Sequence, residues 1–149
     1  MEAKLSNPKD VIGIRKVPFS VLPTPVLWEA ALGMMEGALK YGRHNYRAIG
    51  VRASVYYDAT QRHLTDWYEG QDIDPASRLH HISKAISSLM VLRDAQIRGM
   101  CEDDRPPATD PEFLAKLNTM ASELVDLHAD KNPKHYTNDN YKGEESAGE

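Results

Sequence analysis

Residues 74–99, DPASRLHHISKAISSLMVLRDAQIRG, carry the most regular apolar periodicity of the chain. Such spacing predicts a helix with one apolar face. Asp74-Pro75 is typical of an N-cap followed by proline at the first helical position, and Gly99 is typical of a helix end. We therefore predict the longest helix of the chain between these two signals. Its apolar side chains recur at steps of three, four and five, at Ile82, Ala85, Ile86, Leu89, Leu92 and Ile97.

Three more helices are predicted, two before this stretch and one after it. Thr24-Pro25 opens a helix over residues 25–41, Ser54 opens a second that ends at Gly70, and Asp110-Pro111 opens the last. No strand pair is convincing. The sequence therefore predicts an all-α fold, a bundle of about four helices.

The predicted domain organisation has three parts. Residues 1–22 are expected to form an irregular N-terminal arm, in which residues 11–14 could make a short strand without a clear partner. Residues 23–130 form the helical domain, and residues 131–149 form a mobile polar C-terminal tail.

Composition excludes several classes of protein. The 149 residues are 41% apolar and 27% charged, an ordinary globular balance for one domain. A net charge of −4 argues against a general nucleic-acid binder. Cys101 is the single cysteine, so neither an intramolecular disulfide nor a cysteine metal site is available. Residues 1–10 lack a signal core, and no apolar run is long enough to cross a bilayer, so we expect a cytoplasmic protein without membrane contact.

Acidic side chains recur at helical spacing on the first two predicted helices. Glu29 and Glu36 share a face with Lys40, and Asp58 shares a face of the second helix with Arg62, Asp66 and Glu69. If the two helices pack as an antiparallel hairpin, Glu36 and Asp58 face each other. Oxygen ligands from neighbouring helices suit Mg²⁺ or Mn²⁺. The same spacing fits a surface ion-pair network equally well.

The loop over residues 69–75 and the following histidines form a second polar cluster. Acidic residues at alternate loop positions can converge on a cation; Asp74 has a structural use as a helix cap, whereas Asp72 has none. His80 and His81 project about 100° apart, so both cannot face the core. A lone histidine is more often structural than a ligand. Since neither a glycine-rich phosphate loop nor a zinc-type His-Glu-x-x-His motif occurs, metal–water chemistry on carboxylates remains.

A series of short runs resembles a known family in order and spacing across residues 9–106. The runs are 12–18 (IGIRKVP), 37–42 (GALKYG) with Asn45, 54–59 (SVYYDA), 62–64 (RHL), 72–75 (DIDP) with Ser77, His81, and 103–106 (DDRP). Together they resemble the phage-encoded dATP/dGTP diphosphohydrolases, which are related to the all-α MazG-type nucleotide pyrophosphohydrolases.

This resemblance implies a helical homodimer or homotetramer that holds two or more Mg²⁺ or Mn²⁺ ions per site. It also implies cleavage of a purine deoxynucleoside triphosphate, dGTP or dATP, between the α- and β-phosphates. MazG-type sites pair acidic residues on successive helices, a relation that Glu36 and Asp58 satisfy. We expect these two to be catalytic and to bind metal. Further expected metal ligands are Asp72, Glu69 and Glu29; expected substrate-binding residues are Lys40, Tyr41, Asn45, Arg62, His63 and His81.

The chain departs from the family pattern at four positions. Gln71 replaces an acid, Lys84 a second histidine, Arg78 a glycine and Tyr46 a tryptophan. Two other functions are open from the sequence. One is a histidine-aspartate phosphohydrolase, although no His-Asp dipeptide occurs. The other is a non-catalytic helical phage accessory or assembly protein whose charges lie on its surface.

Overall fold

The computed structural model describes residues 7–145, with side chains as far as Tyr141. The described residues divide into two compact units, one that ends at Arg105 and one that begins at Pro106. Helices dominate both units, which confirms the all-α prediction. The first unit contains α1 (Pro8–Gly13), a 3-10 turn (Phe19–Val21), α2 (Thr24–Tyr41), α3 (Asn45–Ala48), β1 (Val51–Arg52), α4 (Ala53–Tyr68), α5 (His81–Ile97) and β2 (Cys101–Glu102). The second contains α6 (Pro111–Leu127) and α7 (Asn138–Glu145).

Helix α5 is the centre of the first unit, because both α2 and α4 pack against it. Of its expected apolar stripe, Ala85 alone is buried: Leu89 is 49% exposed and Ile97 is 67% exposed. A helix that is contacted on two sides needs small side chains at its contacts, so that both neighbours can approach. The buried positions of α5 are His81, Ser83, Ala85, Ser87 and Ala95.

Helices α2 and α5 approach each other closely at Gly33. A Cβ atom at this position would lie 2.3 Å from the Ser87 Oγ and 2.9 Å from the Ser87 Cβ. The Ser87 hydroxyl donates across the interface to the carbonyl oxygen of Ala30 (2.8 Å) and shares its proton with the Ser83 carbonyl of its own helix (2.9 Å). Glycine at position 33 is therefore what allows α2 to lie against α5.

Helix α5 begins six residues later than the sequence predicts, at His81 and not at Pro75. Asp74 caps a turn instead of a helix, since its Oδ1 accepts from the Ala76 N–H (2.9 Å) and its own N–H donates to the Leu79 carbonyl (2.9 Å). Arg78 has φ = 63°, the left-handed conformation that glycine adopts more easily, and this prevents a continuous helix. The helix then starts at a new cap, where the His80 Nδ1 accepts from the Ile82 N–H (3.1 Å).

A short parallel strand pair joins the ends of the α4–α5 segment, with Val51 opposite Cys101. Gly50 (φ = 87°) precedes the pair, and a Cβ there would lie 2.6 Å from the Met100 carbonyl oxygen. Beyond β2, Asp104 caps α4: its Oδ1 accepts from the Ser54 N–H (2.8 Å), and its Oδ2 accepts from the Ser54 hydroxyl. The DDRP run thus fixes the start of α4.

The start of the described chain differs from the sequence prediction. Residues 8–13 form α1 and not a strand, because Asn7 caps the Lys9 N–H (3.0 Å) and proline stands in the first turn. Helix α7 lies within residues 131–149, and the boundary between the two compact units falls after Arg105. The predicted start of α6 is confirmed by the bond from the Glu112 N–H to Asp110 (2.9 Å). Within residues 7–145, the helices are too short or too polar to cross a membrane.

Substitution of Gly33 by alanine should destabilise the protein, because the new methyl group would overlap the Ser87 side chain. Overpacking of this kind costs about 1–3 kcal/mol. Gly37 on the same helix has open space around its Cβ position, so Gly37→Ala should stabilise by up to about 1 kcal/mol through helix propensity. Thermal or urea unfolding measures both; equal effects of the two substitutions would contradict the close contact at Gly33.

Substitution of Asp104 by alanine should lower the melting temperature in a pH-dependent way. The Ser54 hydroxyl and N–H hold the pKa of Asp104 below its ordinary value of 3.8. A carboxylate with a lowered folded-state pKa contributes stability above the unfolded pKa and loses it as the pH falls through the folded pKa. The difference between wild type and Asp104→Ala should therefore be constant near neutral pH and shrink below pH 3.8. Glu102→Ala, which breaks an exposed ion pair, is the control and should change little.

Candidate functional site

A cavity of about 250 Å³ lies in the first unit, bordered by α2, the loop after α2, α4 and α5. Charged, aromatic and amide side chains share its wall. Such a mixture suits a ligand that carries both charge and a planar ring. The polar and aromatic lining residues are Glu36, Lys40, Tyr41, His44, Asn45, Tyr46, Tyr56, His63, Lys84, Ser87 and Ser88.

The structure brings some of the predicted site residues together at this cavity and leaves others outside. Those on the wall are Glu36, Lys40, Tyr41, Asn45 and His63. His81 is buried and contacts His63. Exposed, and absent from the wall, are Glu29, Asp58, Arg62, Glu69 and Asp72. Within the described residues, the predicted acids form no group of three ligand atoms close enough to share one ion.

The position of Asp58 follows from how α4 packs. Tyr56, Thr60 and His63 are spaced four and three residues apart, and this face contains the buried or half-buried positions of the helix. Asp58 lies two residues from Tyr56, about 200° around the helix, so its side chain is exposed. The sequence prediction assumed a direct α2–α4 hairpin, whereas α4 packs along α5.

Lys84 joins the loop before α5 to α2 through an ammonium group that is surrounded by oxygen atoms. Its Nζ donates to the Asp74 Oδ2 (2.6 Å) and to the Ser77 Oγ (3.0 Å), and lies 3.3 Å from the Glu36 Oε2. The side chains of Lys84 and Asp74 are each 14% exposed, so solvent screens this pair less than an ordinary surface ion pair. The other Glu36 oxygen accepts from the Lys40 Nζ (2.6 Å).

These contacts determine the charges at the site. The Lys84 ammonium lowers the pKa of Asp74 to about 2. Burial acts to raise the pKa of Glu36, but the two lysines outweigh it, so the net shift is downward. Both carboxylates are therefore ionised at neutral pH. Two ammonium groups face two carboxylates, so an anionic ligand must displace one carboxylate or bring its own cation.

His63 on the cavity wall and the buried His81 form a hydrogen-bonded pair with a defined proton arrangement. The two Nδ1 atoms are 2.9 Å apart, and the His81 Nε2 lies 2.7 Å from the Gln71 amide oxygen. Since an amide oxygen can only accept, the His81 Nε2 carries the proton and its Nδ1 accepts from the His63 Nδ1–H. The His63 Nε2 then carries a lone pair, available to accept a proton. Burial, with help from Lys84 and His81, lowers the pKa of His63 and favours its neutral form.

Sequence reasoning missed the residues that organise this site. Asp74 was interpreted as a helix cap, and Gln71 and Lys84 were noted only as departures from a family pattern. One signal was available: His81, Lys84 and Ser88 recur at steps of three and four, which places them on one face of α5. Apolar periodicity cannot detect a face built from polar residues.

Comparison with known proteins identifies related sequences for this part of the chain. A family model described as dATP/dGTP diphosphohydrolase, N-terminal, matches residues 6–105. A curated relative from Salmonella phage PMBT28, named dATP/dGTP diphosphohydrolase, is 32% identical over 77 residues. That match covers 52% of this chain and 26% of the relative, so the chain spans about a quarter of the relative's length. No solved structure matches significantly.

Proposed function

Because the chain belongs to the family defined by the N-terminal part of dATP/dGTP diphosphohydrolases, we propose that it hydrolyses dGTP or dATP to the monophosphate and pyrophosphate. The observation that carries the proposal is the cavity described above, whose wall combines two lysine ammonium groups with tyrosine rings. It lies within residues 33–91, inside the family match.

The wall of the cavity offers both kinds of contact that a nucleotide needs. Tyr41, Tyr46 and Tyr56 present rings on which a purine base can stack, and Asn45 offers an amide for its polar edge. Lys40 is 56% exposed and bonded only to Glu36 among the described contacts, so it can turn to a phosphate oxygen at small cost. Lys84 supplies a second, better shielded positive charge.

The proposed reaction is attack of water on the α-phosphorus. A new P–O bond forms, the bond from the α-phosphorus to the bridging oxygen breaks, and pyrophosphate leaves with that oxygen. Glu36 orients the water, and the water's proton passes to the Glu36 carboxylate or to the His63 Nε2. The ammonium groups of Lys40 and Lys84 stabilise the charge that develops on the phosphate oxygens.

We propose that the reaction requires Mg²⁺ or Mn²⁺, with two or more ions per site. When bound, such ions neutralise phosphate charge and lower the pKa of a bound water. Glu36 fits this use, because its ionised carboxylate lies on the cavity wall. Asp58, Asp72, Glu69 and Glu29 are exposed in one copy of the chain and would serve as ligands from a neighbouring copy.

We also propose that the protein is a homodimer or homotetramer. Helix α2 exposes a set of large apolar side chains that one copy of the chain leaves uncovered. Burial of such a surface stabilises an assembly. The exposed residues on α2 are Val26, Leu27, Trp28, Leu32, Met35 and Leu39.

Incubation of the purified chain with dGTP or dATP and Mn²⁺ should give the monophosphate and pyrophosphate in one step. Anion-exchange chromatography of the products measures this. Release of inorganic phosphate in successive steps would indicate a different bond. No turnover of any common nucleoside triphosphate would favour the non-catalytic alternative.

Glu36→Gln should reduce kcat by about 100-fold or more, because the substitution removes the ionised oxygen on the wall. Glu102→Gln, on β2 and outside the cavity, is the matched control and should retain activity. If Asp58 acts in the site of a neighbouring copy, Asp58→Asn should also be inactive, and mixing it with Glu36→Gln should restore part of the activity through mixed oligomers. Full activity of Glu36→Gln alone would refute the assignment.

A further inference from the structure

Three potential metal ligands converge beside the cavity, outside the carboxylate set that the proposed function uses. One ligand atom from each of His63, Asp74 and His81 lies within 4.8 Å of the other two. Ligand atoms that share one ion lie about 3–4.4 Å apart, given metal–ligand distances of about 2.0–2.2 Å. Small side-chain rotations therefore close the triangle around an ion.

The surroundings of His81 orient it as a ligand. Its side chain is 2% exposed, and its Nε2–H is held by the Gln71 amide oxygen at 2.7 Å. This leaves the Nδ1 lone pair directed at the His63 Nδ1, one of the ligand atoms on offer. A metal-binding histidine typically donates its other ring N–H to an oxygen acceptor, which fixes both tautomer and orientation.

The distance between the two histidines also requires a hydrogen atom or a cation between them. Two Nδ1 lone pairs at 2.9 Å repel each other unless a proton or a cation lies between. In the ion-free arrangement, the His63 proton fills this position. A metal ion can take this position when the His63 proton moves from Nδ1 to Nε2. The His63 ring stays neutral in this change, so no proton has to be released.

We propose that His63, Asp74 and His81 bind one divalent ion of the zinc class, such as Zn²⁺, Co²⁺ or Ni²⁺. Two imidazole nitrogens and one carboxylate oxygen suit these ions, whereas Mg²⁺ prefers oxygen ligands alone. His63 also lines the cavity, so the ion has a path from solvent and an open position toward the cavity. This site does not depend on the proposed nucleotide chemistry.

Lys84 limits the affinity of this site. Its ammonium donates to the Asp74 Oδ2 at 2.6 Å and therefore competes with an ion for the same carboxylate. Glu36 lies 3.3 Å from the ammonium on its other side, so Lys84 keeps one partner when Asp74 turns to the ion. Removal of the Lys84 charge should strengthen binding.

Titration of the tag-free, full-length protein with Co²⁺ alone tests the proposal through visible absorption, and calorimetry with Zn²⁺ gives the stoichiometry. One ion per chain and nitrogen-ligated d–d bands are expected. His63→Ala and Asp74→Asn should weaken binding at least 10-fold, and Lys84→Met should tighten it several-fold. His44→Ala removes a cavity histidine outside the triangle and should bind like wild type.

His63 is half-buried, and asparagine can still accept the Ala76 N–H at position 74, so both variants should fold; circular dichroism verifies this. Absence of nitrogen-ligated bands, or equal affinity of wild type and folded His63→Ala, would overturn the site. No nucleotide is present in these titrations. A failed nucleotide assay therefore leaves the result unaffected, and the reverse also holds.

Discussion

The absence of a side chain at Gly33 is the constraint on which the site depends. Where Gly33 meets Ser87, α2 approaches α5 so closely that even a methyl group would overlap. Glu36 follows three residues later, close to one helical turn, and this brings its carboxylate to the Lys84 ammonium. Wider spacing of the two helices would remove that contact and open the cavity wall. The close approach of α2 to α5 at Gly33 thus determines whether the Glu36 carboxylate, one turn later, reaches the Lys84 ammonium.

Lys84 is the electrostatic centre of the cavity. A positive charge with oxygen neighbours from α2 and from the loop before α5 does locally part of what a bound cation does, since it attracts two carboxylates at once. It differs from an ion in being tethered to α5. The ammonium group therefore stays in place, and the groups around it are arranged before any ligand arrives. Any incoming cation or phosphate competes with contacts that already exist.

Local signals in the sequence predict the four long helices but not how those helices pack against one another. The start of α6 is marked by Asp110-Pro111, and the structure has a helix there. Asp74-Pro75 is as typical of a turn as of a helix start. The left-handed conformation of Arg78, which ends the turn, is visible only in the structure, because arginine gives no sequence signal for it. The partner of α4 was predicted incorrectly, because the contact face of α5 consists of serine, alanine and histidine, which carry no hydropathy signal.

The strand pair between Val51 and Cys101 has a consequence for how such a protein can diverge. Paired strands lie about 4.8 Å apart, so the two ends of the 51–102 segment are adjacent in space. The wall residues from α4 and α5 therefore lie on a segment whose two ends are tied together, while the remaining wall residues precede it in the chain. A change of length in the loop between α4 and α5 can be absorbed within this segment without separating the strand pair. The Gly33–Ser87 contact restricts α5 itself, so the loop is where such a protein can vary in length.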